Sequence, residues 1–136
     1  MNAVEPTVPA ETSQRSSVAV WGAALAAYWA TLFAATHVPT PEFVAGAMEL
    51  NGDKLIHLSA YFVLTTLGLG FVRAAGWRQV LGLPVLAGVA VVMVGYGVFD
   101  EITQPLVNRV CDVLDGVADT VGVLAAIGVS RGWWRA

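Results

Sequence analysis

Apolar residues gather in four long runs, at 18–36, 53–72, 80–99 and 113–129, with short polar stretches between them. A membrane crossing takes roughly 17–25 predominantly apolar residues as a helix, so each run reads as one transmembrane helix. The pattern predicts an all-α, polytopic membrane protein, a four-transmembrane-helix bundle. A secretory signal has an apolar region of only about 7–15 residues behind a basic start. The first run is longer and follows a single Arg15, which favours a span over a cleaved leader.

Breakers mark the connections. Residues 1–17 carry Pro6, Pro9, Thr12, Ser13, Ser16 and Ser17 and read as a flexible tail, leaving 18–136 as the membrane domain. Pro39 and Pro41 stop the first helix, and 41–50 has the weak pattern of a short interfacial helix. A tight turn follows at 73–79, with Trp77 as an interfacial anchor. Pro84 falls in the first turn of the third span, and Pro105 ends it. Small residues recur every four positions at Ala23, Ala27, Thr31 and Ala35, at Ala26, Ala30 and Ala34, and at Ala118, Gly122 and Ala126. Such stripes let helices approach closely.

Composition sharpens this picture. Of 136 residues, 57% are hydrophobic and 12% charged, with a mean hydropathy of +0.68. A soluble domain holds about 45–50% apolar residues, and one this small has no core for the excess. The net charge of -3 is divided between two sides of a bilayer and identifies no partner. No basic run marks a nucleic-acid partner. A single cysteine, Cys111, excludes an intrachain disulfide or a cysteine metal site. Four crossings put both termini on one side, together with Arg15, Arg73, Arg78, Arg131 and Arg135, against Lys54 and Arg109 on the other. The positive-inside rule makes the termini cytoplasmic, in the inner membrane.

The few charges are not scattered. Asp53, His57 and Tyr61 are four apart and share a helical face, with Lys54 close by. Tyr96, Asp100 and Gln104 repeat that spacing, with Glu101 adjacent, and Asp112, Asp115 and Asp119 line the start of the last span. All these groups fall at the outward ends of their helices. Charge in a membrane costs about 2.5–3.5 kcal/mol per Asp or Arg at a helix centre, so such residues face inward and suggest a site.

The pattern Asp53-Lys54-x-x-His57, then Asp100-Glu101-x-x-Gln104, then Arg109 followed by Asp115-x-x-x-Asp119-x-x-Gly122, resembles the VanZ-like family. The resemblance covers about residues 53–128. It implies a small bacterial membrane protein of four helices, linked by the family's name to teicoplanin susceptibility and so to the cell envelope. The chain departs from the family where many members carry Pro-Gly-Arg followed by Ser or Thr; here the run is Val107-Asn108-Arg109-Val110-Cys111-Asp112.

Three functions fit the cluster. An enzyme acting on a lipid-linked or cell-wall component would use His57 as base, Asp53 or Glu101 to orient it or supply the acid, and Asp100 beside them. Lys54 and Arg109 would hold a phosphate or carboxylate. A metal on His57, Asp100, Glu101 and Asp115 suits the donor chemistry, though no established metal spacing is present and no cofactor is specified. A binding or shielding protein would use Asp53, Lys54, Gln104, Arg109, Asp115 and Asp119 to hold a ligand without turning it over. A structural network would tie the helices through Asp–Lys and Asp–Arg pairs, with Gln104 and Tyr61 filling hydrogen bonds. Proton or ion translocation is disfavoured, because residues 80–99 offer no ionisable side chain other than Tyr96 on the way to the inner face.

Overall fold

The computed structural model describes residues 8–38, 52–77, 83–107, 109 and 111–134. Helix α1 spans Val8–His37, α2 Gly52–Ala74, α3 Leu83–Thr103 and α4 Val113–Trp134. A 3-10 turn, Gln104–Val107, continues from α3. No strand occurs among the described residues. The stretches Thr12–His37, Gly52–Ala74, Leu83–Val107 and Val113–Gly132 are each long and apolar enough to cross a membrane. Even α3, with 21 residues, is about 31 Å long at ~1.5 Å per residue, which matches a hydrocarbon core of about 30 Å.

Two boundaries differ from expectation. The region read as an irregular tail is helical from Val8 onward: its Ser, Thr and Gln residues are tolerated in a helix continuous with a strong apolar segment. At the other end α4 runs past residue 129 to Trp134. The expected interfacial helix at 41–50 lies outside the described residues, as does the end of the 73–79 turn.

Burial is inverted relative to a water-soluble domain. Leu83, Val91, Leu106 and Val113 are strongly exposed, while Thr65, Asp100, Glu101, Gln104, Asp115 and Asp119 are buried. A membrane explains this, because lipid accepts apolar side chains and drives polar ones toward the bundle interior. Hydroxyls within the helices follow the same rule. Thr31, Thr66 and Thr120 each donate to the carbonyl four residues earlier, at 2.8, 2.8 and 2.9 Å, which hides the donor from lipid.

Helix α2 is the hub. It packs most extensively on α4, then on α1 and α3, while α3 also lies along α4. The buried centre is Tyr61, Leu64, Met93 and Val123, flanked by Leu25, Tyr28, Trp29 and Leu32 of α1. Tyr28 donates to the Ala60 carbonyl at 3.2 Å, and Trp29 meets Tyr96 edge-on at 5.0 Å. The closeness of α2 and α4 depends on Gly122: a Cβ there would run into the Leu58 carbonyl. Ala118 and Ala126, one turn to either side, are buried with it, so this small-residue ridge is a packing surface as expected. The two alanine stripes of α1 are not. Ala23, Ala27, Thr31 and Ala35, and likewise Ala26, Ala30 and Ala34, are exposed, because α1 turns its bulkier Leu25, Trp29 and Leu32 side inward.

Candidate functional site

Alternating helices bring the end of α1, the start of α2, the end of α3 and the start of α4 to one end of the bundle, and the charged residues meet there. Two linked groups form. The first joins α2 to α4. Lys54 Nζ donates to Asp112 Oδ2 at 2.5 Å and to Asp115 Oδ1, with Asp53 Oδ2 at 3.9 Å. The His57 ring lies just beneath. Its Nδ1 is 3.0 Å from Asp119 Oδ1, and its Nε2 faces Asp115 Oδ2 at 3.9 Å and Asp53 Oδ1 at 4.0 Å.

Asp112 stands just before α4 and serves as its N-cap. Its Oδ1 accepts the Leu114 N–H at 2.9 Å and its carbonyl accepts the Asp115 N–H at 2.9 Å, which satisfies donors that a helix start leaves free. The Lys54 ammonium, with help from the Leu114 N–H, holds the Asp112 carboxyl below its usual value. Asp112 was expected on one face with Asp115 and Asp119. It belongs instead to the cap, while the other two point inward, 4% and 1% exposed.

The second group joins α3 to α1. Thr36 Oγ1 donates to Asp100 Oδ1 at 2.8 Å, and His37 Nε2 lies 2.9 Å from the Thr103 hydroxyl. Gln104 Nε2 donates to Asp100 Oδ2 at 3.4 Å and to Glu101 Oε1 at 3.3 Å. Glu101 bridges the groups, because its Oε2 accepts the Asp112 N–H at 3.0 Å. The Tyr96, Asp100 and Gln104 spacing did place these residues on one face.

Asp53, Lys54, His57, Glu101, Gln104, Asp115 and Asp119 are therefore brought together, with Asp100 turned toward α1. Three expectations change. The group that orients the imidazole is Asp119, not Asp53 or Glu101. Arg109 faces no carboxylate among the described residues: its Nη1 donates to the Ala35 and Thr36 carbonyls at 2.9 and 3.2 Å, tying down the end of α1, whose last carbonyls lack helical partners. The Tyr61 hydroxyl fills no hydrogen bond. Among the described residues it is one of four buried polar atoms without a partner, with Thr65 Oγ1, Tyr96 Oη and Asp119 Oδ2.

Thr36 and His37 were missed. Their signal was a hydroxyl and an imidazole at the last turn of an apolar helix, on the side where the other charges gather. Among the described residues, two sets of side chains offer donor atoms within 4.8 Å of one another: Asp53, His57 and Asp115, and His57, Glu101 and Asp119. Asp100 belongs to neither. Chemically, an imidazole held by a carboxylate can take up and release a proton, and imidazole with carboxylates can hold a divalent ion. An apolar cleft of about 500 Å³ opens at the other end of the helices, between Trp29, Phe71, Trp77 and Pro84, and none of the cluster residues line it. The chain matches no protein-family model, no curated protein and no solved structure.

Proposed function

We propose that this is a multi-pass cell-envelope membrane protein of the VanZ-like kind, with cytoplasmic termini and its charged end at the outer boundary of the inner membrane. There it binds, or acts on, a lipid-linked or cell-wall component with an anionic head group, and through it influences glycopeptide susceptibility. One observation carries this reading: three helices deliver His57, Glu101, Asp115 and Asp119 to one cluster, though a bundle of apolar helices packs without them. Lys54 supplies the basic group for a phosphate or carboxylate. Arg109 is given to α1 and leaves that role to Lys54.

A second reading has specific support. Lys54 pairs with both Asp112 and Asp115, and a cluster so engaged ties α2 to α4 without any ligand. Native mass spectrometry of the gently purified protein separates the two. Wild type retaining a phospholipid or wall precursor that folded Glu101→Gln loses supports the site. A bare wild type, beside a variant that merely unfolds, leaves the structural tie.

A further inference from the structure

We infer that His57, Glu101 and Asp119 form a binding site for one divalent transition-metal ion of the Zn²⁺ or Mn²⁺ type. The three side chains come from α2, α3 and α4, and their donor atoms already lie within 4.8 Å of one another. Bonds of about 2.0–2.2 Å to a common ion require each to close by less than about 1 Å. A nitrogen donor with carboxylates favours first-row ions over Ca²⁺ or Mg²⁺, which prefer oxygen alone.

An independent observation points the same way. Asp119 is 1% exposed, yet its Oδ2 has no hydrogen-bond donor. That oxygen lies 3.4 Å from where a Cβ on Gly97 would stand. Gly97 is one turn from Glu101 on the same face of α3, so the orphan oxygen faces the helix surface that carries the second carboxylate. The glycine keeps that space open.

Charge completes the case. Asp100, Glu101, Asp115 and Asp119 are all at most 5% exposed. Lys54 contacts Asp112 and Asp115 rather than Glu101 or Asp119, and Arg109 donates to carbonyls. Among the described residues Glu101 and Asp119 share no fixed cation, and buried carboxylates without one are costly. Outer hydrogen bonds hold the donors in place: Gln104 and the Asp112 N–H on Glu101. This site deepens the head-group reading and rests on it only for the ion's purpose, which is to bridge a phosphate.

The test uses the metal alone. The full chain in nanodiscs is stripped with EDTA, exposed to ZnCl₂, desalted and measured for zinc. The expected result is one Zn²⁺ per chain, lost in His57→Gln and Asp119→Asn and weakened about 10–100-fold in Gln104→Leu, which removes an outer hydrogen bond. Asp112→Asn, outside the donor set, retains it. The chain has two histidines, so ring nitrogen signals of the wild type give a readout independent of variant folding: Zn²⁺ shifts His57 and leaves His37. Zinc held equally by wild type and both donor variants, an adventitious ion only, overturns the site, and so does a wild type in which neither ring signal moves. Zn²⁺ bound as expected without head-group retention upholds the ion site and removes the head-group reading.

Discussion

His57 of α2 and Asp119 of α4 meet at 3.0 Å across the most extensive helix pair in the bundle, and both are buried. Removing one partner of such a pair leaves the other without compensation, at a cost of about 3–5 kcal/mol. His57→Gln and Asp119→Asn each lower stability, and the double variant loses less than the sum, with a coupling of about 0.5–3 kcal/mol. Unfolding in mixed micelles measures all four corners of the cycle. Additive losses would show that the two side chains do not act on each other.

Asp112 predicts a pH response. The Lys54 ammonium depresses its folded value, so its stabilising contribution is fully present above the ordinary aspartate value of about 3.9 and fades as pH falls through the depressed one. The stability difference between wild type and Asp112→Asn stays level from neutral pH down to about 4, then shrinks. Thermal unfolding in nanodiscs across that range checks it. A difference already gone at pH 6 would contradict the pairing.

Gly122 and Gly128 lie on one helix in opposite situations. A methyl at 122 meets the Leu58 carbonyl, whereas at 128 nothing lies within 4 Å. Gly122→Ala destabilises by about 1–3 kcal/mol, as overpacking does, while Gly128→Ala is nearly neutral. Equal effects on the measured unfolding midpoints would mean that α2 and α4 are not in close contact.

Orientation has a built-in reporter. Cys111 is exposed and is the chain's single cysteine, next to the capping Asp112. With cytoplasmic termini, a membrane-impermeant maleimide added to intact cells labels Cys111, and Cys111→Ser abolishes the signal. Labelling only after the membrane is opened would reverse the proposed topology.

The sequence was most legible where a rule is local. Span length revealed four helices long and apolar enough to cross a membrane, and the spacing of Asp53, His57 and Tyr61, or of Asp100 and Gln104, revealed which faces turn inward. Pairing between helices was not legible. Nothing near Arg109 in the chain shows that it reaches carbonyls at the end of α1, and nothing near His57 selects Asp119 over Asp53, which is equally well spaced. The alanine stripes of α1 misled for the same reason: periodicity finds a surface, but the neighbour's bulk decides which surface is used. Charge density likewise located the cluster without dividing it into a tie, a cap and a donor set.

The strongest helix pairing joins residues far apart in synthesis. Lys54 and Asp115 are 61 positions apart, so α2 leaves the ribosome with Asp53 of its own first turn as the carboxylate beside Lys54 and His57. At about 5–20 residues per second, the matching carboxylates follow roughly 3–12 s later. During that interval α2 carries its charges with only α1 and then α3 beside it. A chain cut short before α4 therefore leaves Lys54 and His57 without Asp112, Asp115 and Asp119, the carboxylates that sit closest to them in the folded bundle.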